Sequence, residues 1–180
     1  NGTGIASIGF RCKILPVKTT ADNDIRAGGS AYILQGYVGI AYAARTGAKI
    51  INCSWGGGGG SQFEQDIINF ATQQGALVVA AAGNNNSGTF FSPAGYANVL
   101  SVGATDPSDV KAGFSNFGET VDVSAPGVSI LSTLFQSTYA SWSGTSMASP
   151  LVAGLAGLVR WKFPSLSSVQ TGEQIRVTSD

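Results

Sequence analysis

Ser146 stands where a serine hydroxyl could act as a nucleophile. It follows Gly144-Thr145 and opens an apolar stretch, residues 144–161, whose spacing predicts a long buried helix. A hydroxyl at a helix N-terminus meets unpaired amides and the positive end of the helix dipole, both of which favour developing negative charge. An ordinary helix-capping serine has the same features, so position alone leaves both readings open. Asn84 is the second candidate. It lies just past residues 76–82 (ALVVAAA), a run that reads as a buried strand, and parallel sheets bind ligands at the carboxyl ends of their strands. A turn asparagine is the plainer alternative. Serine chemistry also needs a proton acceptor, and the 180 residues contain no histidine. That excludes imidazole bases, histidine-held zinc or haem, and any complete Ser-His-Asp or Cys-His set within these residues. The carboxylates fall mostly in helices or turns, and none stands where it could replace the base.

Around these residues the sequence alternates. Residues 13–18 (KILPVK) read as a short strand, 31–46 as a helix ending at Gly47, and 49–55 (KIINCSW) as a buried strand. Phe63, Ile67, Ile68, Phe70 and Ala71 line a second helix stopped by Gly75, followed by strand 76–82. Strands 98–104 and 120–124 come next, then helix 144–161 and a weaker terminal helix, 167–177. Near-continuous apolar strands alternating with helices imply an α/β fold with a mostly parallel central sheet covered on both faces. The glycine run 56–60 lacks the Gly-Lys-Ser/Thr of a phosphate loop; it suits a place where another backbone approaches closely.

Composition narrows the function classes. With 43% hydrophobic and 11% charged residues, the chain suits a single domain with a real core. Net charge is zero and the basic residues are scattered, so no nucleic-acid footprint appears. The longest apolar run is interrupted by Gly, Arg and Lys and is too short for a membrane span. Cys12 and Cys53 lack metal-ligand spacing and read as two separate buried thiols on different strands.

The segment Ser143-Gly-Thr-Ser-Met-Ala-Ser-Pro-Leu-Val-Ala-Gly154 resembles the nucleophile motif of the subtilisin-like serine proteases, in which the serine after Gly-Thr begins a buried helix. Pro150 is expected in its first turn, where a missing N–H is harmless. Ala80-Ala-Ala-Gly-Asn84 resembles the family segment whose asparagine donates to the oxyanion, and Ser54-Trp-Gly-Gly57 its substrate-binding strand end. The resemblance, running from Asn1 to about Val177, implies a three-layer αβα architecture. It also implies a serine endopeptidase in which Ser146 attacks and Asn84, with the Ser146 N–H, stabilises the oxyanion. Substrate contacts are implied at Ser54, Trp55, Gly56, Ala81, Ala82, Gly83 and Thr145. Small residues there suggest a roomy pocket and a preference for large apolar side chains before the cleaved bond. Trp55 is expected to point away from that pocket and shape a neighbouring subsite, or equally to be an ordinary core tryptophan. The sedolisin-like relatives carry aspartate where Asn84 stands, which argues against them.

The family places its Asp and His upstream of the segment matching Asn1. The chain therefore reads as one partial domain, residues 1–180, the C-terminal portion of a peptidase domain with its N-terminal part missing. By itself it is expected to be inactive. Its implied partners are a polypeptide substrate and the Asp- and His-bearing segment of the same domain; exposed sheet faces suggest self-association of the isolated chain. No cofactor is implied for catalysis. A structural calcium is implied in the parent enzyme, with Asn1, Thr3 and Ile5 among its oxygen ligands. Calcium takes six to eight oxygens, and the others would come from outside this chain. Family habit implies secretion. The alternative function is a non-catalytic module that keeps the groove and binds extended peptides.

Overall fold

The computed structural model describes residues 4–20 and 33–179. In chain order the elements are α1 (Gly36–Arg45), β1 (Ile50–Cys53), β2 (Gly57–Gly58), α2 (Gln62–Gln73), β3 (Leu77–Ala81), β4 (Phe91–Ser92), β5 (Val99–Thr105), β6 (Val123–Pro126), β7 (Ile130–Thr133), β8 (Tyr139–Trp142), α3 (Thr145–Lys162) and α4 (Ser168–Thr178). Four of these strands form a parallel sheet in the order β1-β3-β5-β6.

The alternation of side chains along β3 builds the layers. Val78 and Ala80 turn to one face, where they join Ile40, Ala43 and Ala44 of α1 and Ile68 and Ala71 of α2. Leu77 and Val79 turn to the other, where Ala148, Val152 and Ala156 of α3 and Ile175 of α4 cover them. All five β3 residues are buried, as a strand sandwiched between two helical layers requires. The architecture is the three-layer αβα arrangement expected. Ser61 caps α2 by accepting the Glu64 N–H, and Ser167 with Gln170 forms a reciprocal capping box on α4.

Four local expectations are corrected. Residues 13–18 form no strand: they have no ladder partner among the described residues, Pro16 lacks a donor, and Ile14 is 87% exposed. Cys12, placed by sequence in a buried run, is consequently exposed; Cys53 is buried and unpaired, and burial pushes its thiol up to about 12. Helix α1 begins at Gly36, and residues 33–35 are not helical. Finally, α3 is not buried all round: it packs on the sheet and α4, and Ile8, Gly9 and Cys12 lie against Gly154 and Gly157, but Leu155 is 42% and Trp161 78% exposed.

Two antiparallel pairs were not expected. β7 and β8 form a hairpin, and β2 pairs with β4, Gly57 opposite Ser92 and Gly58 opposite Phe91. The second pair accounts for the glycine run. A Cβ at Gly56 would lie 2.3 Å from both Phe91 Cε1 and the Ser92 carbonyl oxygen, so only glycine lets the two backbones approach. No helix among the described residues is long and apolar enough to cross a membrane.

Candidate active site

Ser146 is the second residue of α3, and half-buried there. Its N–H has no acceptor among the described residues, as at any helix start. Its Oγ donates to the Ser54 carbonyl at 3.2 Å, and Ser54 Oγ donates back to the Ser146 carbonyl at 2.9 Å. The second bond follows from Pro150, which lies in the second turn rather than the first. Proline has no N–H to give the carbonyl four residues earlier, and that carbonyl belongs to Ser146. The orphaned acceptor is filled from β1's end, which ties the helix start to the edge strand of the sheet. Just below, Ser149 Oγ donates to Asn52 Oδ1 at 2.8 Å and makes the same tie.

Asn84 is held from the other side. Its Oδ1 accepts both the N–H and the hydroxyl of Thr145, each at 2.9 Å. Thr145 is fully buried, and its Oγ1 accepts the Gly83 N–H at 3.2 Å. With Oδ1 engaged, Asn84 Nδ2 makes no hydrogen bond among the described residues, and Asn84 is exposed. The two amides available for a negative oxygen, Ser146 N–H and Asn84 Nδ2, are thus organised through one buried threonine. Ala81, Ala82 and Gly83, which lead into Asn84, are all buried. The Ala82 N–H donates to the Val102 carbonyl and the Gly83 carbonyl accepts the Asn116 N–H, so these backbone groups are paired within the chain. Ser54–Gly56 lie at the sheet's edge, where β1 has no outer neighbour among the described strands. The Trp55 ring packs edge-on against Tyr37, with centroids 5.4 Å apart, beside the core cluster of α1 and α2.

Sequence reading missed Asn116, buried to 5% exposure. Its Nδ2 donates to the Ala82 carbonyl at 2.8 Å, and its Oδ1 accepts the N–H groups of Asn85 and Ser87 at 3.0 and 3.2 Å. It therefore pins both ends of the loop that carries Asn84. No local signal marks it, because its partners lie about thirty positions upstream. Replacing Asn116 with alanine removes three side-chain hydrogen bonds and leaves the buried Ala82 carbonyl unpaired; a loss of about 3 kcal/mol is expected. Thermal unfolding should show a midpoint lower by about 6–12 °C. A midpoint unchanged within 2 °C or so would show the loop is held by other means.

Two cavities, of about 370 and 410 Å³, lie beside residues 16–19 and beside Gly60 and Tyr96. Neither is lined by Ser146, Asn84, Gly56 or Gly83. Of the residues implied for calcium, Asn1 and Thr3 lie outside the described residues, and Ile5 alone makes no site. No cluster of three His, Cys, Asp or Glu side chains suited to a metal occurs among the described residues.

The profile of the subtilase family (Peptidase S8) matches residues 1–179. The chain belongs to the subtilase family. It is 44% identical over 180 residues to a thermophilic serine proteinase of Bacillus sp. (strain AK1), covering all of this chain and 43% of that protein. Thermitase of Thermoactinomyces vulgaris is 45% identical over 170 residues, 94% of this chain and 59% of its own. A solved protease from Pseudoalteromonas arctica PAMC 21717 superposes with a TM-score of 0.89 at 28% identity, covering 100% of this chain and 60% of that one. The subtilase chain thus spans about half the length of the relatives it matches. Within the subtilase fold, Ser146 and Asn84 occupy a helix start and a strand end that converge at the carboxyl ends of β1 and β3.

Proposed function

We propose that this chain supplies the nucleophile and the oxyanion donors of a serine endopeptidase. The observation that carries the reading is the convergence of Ser146 and Asn84 through Thr145, 61 positions from Asn84 in sequence. An extended peptide pairs with the open edge at Ser54–Gly56, which sets its carbonyl over Ser146 Oγ. The hydroxyl attacks that carbon and gives its proton to a base. The negative oxygen of the tetrahedral intermediate takes hydrogen bonds from the Ser146 N–H and Asn84 Nδ2. Collapse breaks the C–N bond, the amine leaves with a proton, and water then hydrolyses the acyl-serine. With no histidine among the 180 residues, the base comes from outside them; a segment of the same domain bearing Asp and His is the partner this reading requires.

A fluorophosphonate probe tests the reading. In the full natural polypeptide carrying this sequence, one equivalent should label Ser146 and stop peptide hydrolysis. The 180-residue chain alone should hydrolyse nothing measurable and label about 10²–10⁴ times more slowly, since no general base assists. Rapid labelling of the isolated chain, or a label on another serine, would overturn it. Peptide binding without hydrolysis by the full polypeptide would favour a groove that only binds.

A further inference from the structure

The small residues at the two strand ends suggested a roomy pocket, but a side chain from elsewhere occupies the space between them. Phe91 Cε1 lies 2.3 Å from where a Cβ of Gly56 would be, and Phe91 Cγ lies 3.1 Å from where a Cβ of Gly83 would be. One ring therefore reaches from the edge segment that ends β1 to the wall that follows β3. We propose that Phe91 closes the floor of the gap between Gly56 and Gly83, so that this subtilase cleaves after residues with small side chains, glycine, alanine or serine. The inference rests on the endopeptidase reading above, in which that gap receives the side chain preceding the cleaved bond.

The backbone that carries Phe91 is held in place. Phe91 and Ser92 are paired with Gly58 and Gly57, Ser92 Oγ donates to the Gly57 carbonyl at 3.3 Å, and the Phe91 carbonyl accepts the Gly95 N–H at 2.8 Å. Ser92, Pro93 and Ala94 behind it are buried. The missing Cβ at Gly56 makes room for the ring and for the Ser92 carbonyl, and the one at Gly83 makes room for Asn116 Nδ2 and the ring, so the space beside both glycines is taken up by this chain's own packing. A large substrate side chain would have to displace a ring already packed there, whereas a methyl group needs no such movement.

The test compares N-acetyl tetrapeptide p-nitroanilides that differ only in the last residue, alanine or phenylalanine, on the full natural polypeptide. The wild type should prefer alanine by about tenfold or more in kcat/KM. Phe91→Gly should raise the phenylalanine-to-alanine ratio by about 10- to 100-fold, and Phe91→Ala should move it the same way. Calorimetry with the two product peptides, which needs no turnover, should show the same reversal in affinity. A wild type that prefers phenylalanine overturns the proposal while leaving the endopeptidase reading intact, and needs no variant to fold. So does an unchanged ratio in variants whose melting shows them folded. Should neither substrate be cleaved faster than by Ser146→Ala, the endopeptidase reading fails, and this proposal with it.

Discussion

Replacing Ser146 with alanine in the full natural polypeptide should abolish peptide hydrolysis, lowering kcat by about 10⁶ while KM stays within a few-fold. The magnitude is the one known for the nucleophile of subtilisin, a member of the same family, and is carried over rather than derived. The split between kcat and KM does follow from the site. The Ser146 side chain makes one hydrogen bond, to the Ser54 carbonyl, whereas the reciprocal bond from Ser54 ends on the Ser146 backbone and survives the substitution. The helix start, the Ser149–Asn52 bond and the Ser54–Gly56 edge are therefore retained. Ground-state binding persists and the covalent route is lost. Steady-state kinetics and a melting curve separate the outcomes: a variant retaining a tenth of its kcat would remove Ser146 from the reaction.

Asn84 offers the second large effect, and here two substitutions separate two roles. Asn84→Ala should lower kcat by about 10²–10³, the cost known for the equivalent donor in subtilisin itself. It should also lower stability by about 1–3 kcal/mol, because the fully buried Thr145 loses the acceptor of its N–H and hydroxyl. Asn84→Asp keeps that acceptor and removes only the donor. Its melting temperature should stay near the wild type. Its kcat should fall at least as far as that of alanine, since a carboxylate would then face the developing oxyanion. If the aspartate variant were stable and active, Asn84 would be a structural residue only, holding Thr145 and contributing nothing to the oxyanion.

Both predictions draw on what was readable in the chain and on what was not. Ser146 is marked by neighbours adjacent in sequence, because a tight turn, a helix start and an apolar helix face are all local requirements. Asn84 is likewise marked by the end of an apolar strand. That the strands are parallel and covered on both faces follows from their unbroken apolar character, and β3 bears this out residue by residue. The failures have a common cause. Residues 13–18 have a strand's composition, but a strand exists only with a partner for its ladder, and none of the described residues provides one. Pro150, expected in the first turn of α3, lies in the second, and its effect is visible only because Ser54, 92 positions before Ser146, fills the carbonyl that it orphans.

By itself, then, the sequence determined the layered α/β architecture, the nucleophile and oxyanion candidates, and the lack of an imidazole base among these residues, since each depends on residue type or short-range period. Tertiary structure alone decided how the site is held and what fills it. Asn116 reaches back to pin the Asn84 loop, Thr145 couples Asn84 to the helix start, and the Phe91 ring occupies the gap that small residues had suggested was open. The physical reason is that a glycine or alanine in a sequence records only the missing volume of its own side chain. Whether that volume is left to a ligand or taken by a neighbour is settled by packing between segments far apart in the chain.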